Sequence, residues 1–147
     1  MERKKQEGTM PTQLNQTDIA YIAGLFDGEG SVTYSRRRQK KGTNKKHNMF
    51  WDIRCEISMT DKYVMEWLHN ILGFGAFNER KPTKSWIGKK TQWRWRCSHR
   101  EALVFAKLLW PHAQTKLHKL EQIIDHYDTE NEAKPSADII YLRDRRK

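Results

Sequence analysis

Ile22-Ala23-Gly24-Leu25-Phe26-Asp27-Gly28-Glu29-Gly30 holds three glycines, two carboxylates and a run of apolar residues in nine positions. Just upstream, Thr17 and Asp18 supply N-cap and first-turn chemistry, and Ile19, Ile22, Ala23 and Phe26 recur at the spacing of one helix face. The pattern predicts a helix from about residue 18 to about residue 28, ending in glycine. An ordinary core helix would avoid Gly24, because an interior glycine costs roughly 1 kcal/mol relative to alanine. Gly24 and Gly28 lie four residues apart on one face, with Ala20 and Ala23 beside them. A stripe of such small residues lets a second backbone come very close, and the helix that bears it ends at Glu29.

The chain's 147 residues suit one domain with one core. A formal net charge of +10 and a pI of about 9.7 argue for a polyanionic partner, either nucleic acid or an anionic membrane surface. No apolar run approaches the ~20 residues needed to span a bilayer, and the polar start after Met1 does not resemble a signal peptide. Cys55 and Cys97 are the two cysteines; without CxxC spacing, and within alternating apolar runs, they read as reduced core residues of an intracellular protein.

Residues 1–12 lack periodicity and are expected to form a flexible tail ahead of a domain spanning 13–127. After Gly30 the period changes to two. Val32 and Tyr34 alternate with Ser31, Thr33 and Ser35, followed by Arg36-Arg37-Arg38. Turn chemistry at 42–44 leads to a second alternating run, with Trp51, Ile53, Cys55 and Ile57 on one face and Asp52, Arg54, Glu56 and Ser58 on the other. Asp61 caps a helix with Val64, Met65, Leu68, Ile71 and Leu72 inward, closed by Gly73. A second hairpin follows, with Phe77 inward between Asn78 and its neighbours, and Trp93, Trp95 and Cys97 alternating with Gln92, Arg94 and Arg96. Ser98-His99-Arg100-Glu101 reads as a capping box for a helix with Leu103, Val104, Leu108 and Leu109 mostly buried, stopped by Pro111. A fourth helix is expected over about 113–126, and residues 128–147 read as a polar linker and basic tail.

The order is thus α-β-β-α-β-β-α-α, with an α-β-β unit occurring twice. Two segments, 30–51 and 80–100, carry no acid and hold seven and eight Lys or Arg. Both overlap the hairpins, so the expected sheet has helices on its dry side and a positive wet side able to lie along a duplex groove. The alternation nominates Thr33, Ser35, Arg37, Arg54, Glu56, Asn78, Arg80, Gln92, Arg94 and Arg96 as base-contacting residues. Lys40, Lys41, Lys45, Lys46, Lys84, Lys89 and Lys90, in the hairpin ends, suit phosphates. The six histidines form no metal-spaced cluster, and a membrane-surface role would want a basic amphipathic helix rather than basic strands.

The nonapeptide resembles the signature of the LAGLIDADG homing endonucleases, with Ile, Phe, Gly and Glu as the usual kinds of variant, and the element order over 17 to about 126 is that family's too. The resemblance implies an α+β class, the αββαββα homing-endonuclease fold, with a curved antiparallel four-stranded sheet, helices on one face and dimerisation through the signature helix. Ala20, Ala23, Gly24, Asp27 and Gly28 are the expected dimer contacts, Asp27 serving the helix end or the interface. Glu29, the last acid of the motif, would bind a divalent metal, assisted by the Gly28 carbonyl. Mg2+ is the expected ion, with Mn2+ or Ca2+ able to take the same site. Lys116, five residues past Pro111, matches the family's lysine near the scissile phosphate. Where the family often has a water-positioning polar residue, this chain has Met59, leaving Ser58 or Thr60 to stand in.

One carboxylate cannot build a phosphodiester-cleaving metal site, and this chain has one signature, so a C2 homodimer is expected. The reading implied by the resemblance is a sequence-specific, metal-dependent endonuclease on a long pseudo-palindromic double-stranded DNA site, leaving short 3′ overhangs and encoded in a mobile element. The alternative is a non-catalytic binder on the same scaffold, an intron maturase or a DNA-binding regulator.

Overall fold

The computed structural model describes residues 14–38, 49–86 and 88–130. The elements are α1 (Gln16–Glu29), β1 (Gly30–Arg38), β2 (Met49–Met59), α2 (Lys62–Leu72), β3 (Ala76–Arg80), a short 3-10 turn (Lys84–Trp86), β4 (Gln92–Ser98), α3 (Arg100–Leu109) and α4 (Leu117–Glu130). The predicted order therefore holds. The expected tail at 1–12, the lysines at 40, 41, 45 and 46, and residues 131–147 lie outside the described residues.

α1 starts two residues earlier than its composition suggested. Asn15, not Thr17, is the N-cap: its side-chain oxygen accepts from the Asp18 amide at 2.8 Å. Ile19, Ile22, Ala23 and Phe26 form its buried face, as the spacing required. At its other end Gly30 turns the chain directly into β1. A β-carbon there would collide with the Phe26 ring and carbonyl, so the helix-to-strand step needs glycine.

The two hairpins join through their second strands, giving an antiparallel sheet in the order β1-β2-β4-β3. That order is what two α-β-β units related by a local twofold produce, with Cys55 facing Cys97 across the central pair. Ile53, Cys55, Ile57, Trp95 and Cys97 point from the sheet into the core, where Phe26, Leu68 and Phe105 meet them. Each such large side chain contributes about 1.5–3 kcal/mol by leaving water. The Trp95 indole N–H donates to the Phe74 carbonyl at 3.1 Å, so this buried tryptophan keeps its polar atom satisfied. Gly75, at φ 87°, passes against that indole, where a β-carbon would come within 2.6 Å.

α2 follows its sequence signals. Asp61 accepts from the Val64 amide at 3.1 Å, and Gly73 closes the helix at φ 75°. α3 does not. Ser98 is the last residue of β4, held opposite Arg54, and cannot serve as a cap. His99 occupies the cap position at φ 55° without a side-chain cap bond, and Glu101 accepts instead from the Gly75 amide at 3.4 Å. The inward face of α3 is Ala102, Phe105, Ala106 and Leu109, while Val104 is 38 % exposed, because alanines let the helix lie close to its neighbours. α4 begins at Leu117 rather than near 113, and continues to Glu130; Ala113 is buried in the turn before it.

Candidate functional site

The end of α1 carries the densest polar geometry. The Asp27 carboxylate accepts from the Gln114 amide at 2.7 Å and from the Lys116 amide at 2.9 Å. The Asp27 main-chain carbonyl accepts from Thr115 Oγ1 and from Lys116 Nζ, both at 2.9 Å. One residue of the signature helix thus organises the whole turn between α3 and α4. Farther up α1, Gln16 is bonded to His112 at 3.0 Å, so the same turn is tied to the helix at two levels.

Glu29 lies two residues beyond Asp27, is exposed, and forms no hydrogen bond or ion pair among the described residues. An acid in the last turn faces the negative end of the helix dipole, which costs about 0.3–1 kcal/mol unless a cation answers it. No basic residue stands in the last turn of α1. Asp27 is satisfied by main-chain amides, whereas Glu29 has no such partner among the described residues. The last-turn carbonyls, Gly28 among them, likewise lack intrahelical partners. A carboxylate and a carbonyl are hard oxygen donors of the kind Mg2+ and Ca2+ take, so their chemistry fits such an ion, but they are too few to enclose it. No group of three His, Cys, Asp or Glu able to hold a metal occurs among the described residues.

Of the expected interface residues, Ala20, Gly24 and Gly28 are exposed on the outer face of α1. A β-carbon at Gly24 or Gly28 would meet nothing within 4 Å among the described residues, so their packing does not demand either glycine. Ala23 is a correction: it is fully buried against the core, since its angular position matches Ile19 and Phe26 rather than Gly24. Asp27 is half-buried and belongs to the helix end through its bonds to 114–116.

Residues opposite each other in an antiparallel pair share a face. Thr33 faces Arg54; Glu56 faces Arg96; Asn78 faces Arg94; Arg80 faces Gln92. Ser35 and Arg37 keep the same phase on β1, opposite Asp52 and Phe50. The register therefore gathers all ten nominated strand residues on the sheet face away from the core. Ser58 joins them opposite Arg94, whereas Met59 has the core phase opposite Trp93 and Thr60 is exposed just past the strand.

The face is positive but internally ordered. Asp52 pairs with Arg37 at 2.8 Å and with Arg54 at 2.9 Å, and Glu56 pairs with Arg96 at 2.7 Å. Arg94 has no ion pair among the described residues, and its Nε is buried without a hydrogen-bond partner. Burial, and then the neighbouring Arg96 charge, pull its guanidinium below the usual arginine range. Asp52 and Phe50 lie on this face but were not nominated as base-contacting residues from sequence; Phe50 is 45 % exposed beside Arg37. Both were findable from phase alone, since 50, 52, 54 and 56 alternate with the buried run.

Among solved structures, the chain is similar to a homing endonuclease, I-CvuI, crystallised in complex with an I-CreI target, at TM-score 0.58 and 16% identity over 75% of this chain and 65% of that one. It is similar to I-CeuI, a group I intron-encoded homing endonuclease complexed with DNA, at TM-score 0.61 and 13% identity over 82% of this chain and 58% of that one. It is also similar to the homing endonuclease I-TnaI, at TM-score 0.53 and 21% identity over 76% and 75%. At these identities the likeness is one of fold, and the chain spans less than two thirds of I-CvuI and of I-CeuI. A search of curated proteins found no match. The sequence model of the LAGLIDADG endonuclease family matches residues 22–105, from the first residue of the signature helix's nonapeptide, through both hairpins, into α3. With more than half of its length covered in this way, the chain belongs to the LAGLIDADG endonuclease family.

Proposed function

We propose that the protein is a sequence-specific, divalent-metal-dependent endonuclease acting on double-stranded DNA as a C2 homodimer. The observation that carries this reading is Glu29: an exposed acid, unpartnered among the described residues, at the wrong end of a helix dipole, beside a turn that presents Lys116. The exposed stripe of Ala20, Gly24 and Gly28 supports pairing of two α1 helices, since both glycines weaken α1 while relieving no contact among the described residues. Tyr21, 53 % exposed on that outer face, adds apolar surface to be covered. Two copies would supply two Glu29 carboxylates and two Gly28 carbonyls for the cation.

A divalent cation, when bound, polarises the phosphate and favours deprotonation of water. The chain's own residues do the rest. Asp27 holds the turn that bears Lys116, and Lys116 supplies a positive charge to the developing anion. Ser58, on the wet face, is the polar group available where Met59 is not. The arginines, Asn78, Gln92, Thr33 and Ser35 read base edges, and Lys84, Lys89 and Lys90 hold phosphates. The family implies cutting of both strands of a pseudo-palindromic site with short 3′ overhangs. The apolar phase of Met59 favours the competing reading, a non-catalytic binder on this scaffold, an intron maturase or a regulator.

Glu29→Gln separates the two. Incubating wild-type and variant protein with randomised duplexes, with and without Mg2+, and sequencing the ends should give defined cuts for the wild type alone. The variant should still retain the same duplexes on a filter. Cleavage by the variant, or none by the wild type, would sink the assignment.

A further inference from the structure

We propose that Asp52 is a positioning residue for base recognition: it orients Arg37 and Arg54 as one paired reading unit. This rests on the DNA-reading role of the sheet face proposed above. Asp52 is an acid on a face expected to meet a polyanion, so by charge alone it opposes binding. Its geometry supplies the reason for its presence. Asp52 Oδ2 lies 2.8 Å from Arg37 Nε in an ion pair and accepts from Arg54 Nη2 at 3.1 Å, and Oδ1 lies 2.9 Å from Arg54 Nε. One carboxylate thereby ties together guanidiniums from β1 and β2, the first across the strand pair and the second two residues along its own strand.

The carboxylate is shielded, at 16 % side-chain exposure, while Arg37 remains 54 % exposed beyond it. Arg37 meets the carboxylate through Nε, which leaves both terminal NH2 groups for other partners. Arg54 donates to the carboxylate through Nη2, its Nε lying close to Oδ1 in the ion pair without a hydrogen bond among the described residues, and keeps its Nη1 hydrogens. Each arginine can still present donors to a guanine edge. Without the acid, two neighbouring cations repel each other and swing on flexible stems to whichever phosphates are nearest. With it they arrive already oriented, so contacts to bases are gained without first ordering two long side chains. Glu56 differs: among the described residues it pairs with one arginine, Arg96.

The test compares sequence preference, position by position, for the full-length wild type, Asp52→Ala, Asp52→Asn, Asp52→Glu, Arg37→Ala, Arg54→Ala and the double variant Asp52→Ala/Arg54→Ala. Each is selected on the same randomised duplex library, with binding to unrelated duplex measured beside it. Asp52→Ala and the isosteric Asp52→Asn should lose about fivefold or more discrimination, confined to the base pairs that Arg54→Ala and Arg37→Ala also flatten. Binding to unrelated duplex should hold or strengthen. The double variant should be no flatter than Arg54→Ala at the Arg54 positions, and Asp52→Glu should recover part of the preference. An unchanged profile with only a lowered melting temperature would overturn the proposal, as would additive losses in the double variant. A wild type with no preference for any duplex sequence would remove the reading face itself, and this assignment with it.

Discussion

Asp27 and Lys116 hold each other by two separate bonds: the Lys116 amide donates to the Asp27 carboxylate, and Lys116 Nζ donates to the Asp27 main-chain carbonyl, each at 2.9 Å. The lysine proposed to serve the reaction is therefore oriented by the helix that carries the proposed metal ligand. Asp27→Ala should remove the amide acceptors and destabilise the protein by about 1–2 kcal/mol, the usual loss of a helix-capping side chain. Single-turnover cutting should slow while duplex affinity holds. Denaturant melts and cleavage time courses on the same preparation check both. Asp27→Asn, which keeps one acceptor oxygen, should lie between.

Gly24 offers a test of assembly. Gly24→Ala should raise helix stability within one chain by about 0.5–1 kcal/mol, because its new methyl meets nothing there. Gly24→Leu should leave a folded chain that no longer pairs and no longer cuts. Sedimentation equilibrium of the two variants and the wild type decides it; an unchanged dimer with leucine at this position would place the interface elsewhere.

Arg94 and Lys89 should fail in different ways. Arg94 lies mid-face, opposite Ser58 and Asn78, without an ion pair among the described residues. Arg94→Ala should relax preference at a few base pairs, at about 1–3 kcal/mol for the best of them. Lys89, exposed in the connection between β3 and β4, should when replaced by alanine weaken binding to every sequence alike and lower the salt slope by about 1. Salt titrations on specific and unrelated duplexes separate the two. Equal losses everywhere for both would mean the strand phase does not govern recognition.

Chelation makes a prediction about the proposed metal. Removing divalent ions should stop cutting, and adding Mg2+ should restore it in wild type but not in Glu29→Gln. Isothermal titration of the ion into the protein–duplex complex should show the Glu29→Gln variant weakened by tenfold or more.

Cys55 and Cys97 face each other as buried thiols across β2 and β4. Burial, then hydrogen bonding with Cys55, pushes the Cys97 thiol well above its ordinary range. Above about pH 8.5 an unfolded cysteine loses its proton while the folded one keeps it, so stability is full below that pH and falls as pH rises through it. Urea melts from pH 7 to pH 10 should show the decline. Cys97→Ala should flatten part of it, although Tyr34, also raised by burial, contributes in the same direction above pH 10.

The signature helix's buried face, the four strands, their two faces and the ten residues on the wet side were legible in the sequence. Each depends on a period of 2 or 3.6 that neighbouring residues write together. The same local signals misplaced the caps of α1 and α3. Asn15 and Thr17 carry similar chemistry, and Ser98 could not be known to remain in a strand until β4 was paired with β2. Ala23 was legible too: its spacing sets it with Ile19, Ile22 and Phe26 in the core, and only its neighbourhood to the small-residue stripe put it among the expected dimer contacts.

What only the tertiary structure decided is which polar groups answer one another. Asp27 meets residues 87 and 89 positions away, and Asp52 chooses Arg37 and Arg54 over the other arginines of the face. Composition sets the number of donors and acceptors, and periodicity sets their side of the sheet. Hydrogen bonds and ion pairs form only at close range, about 3 Å for the best of them, a distance settled by how strands register and helices pack, not by adjacency along the chain.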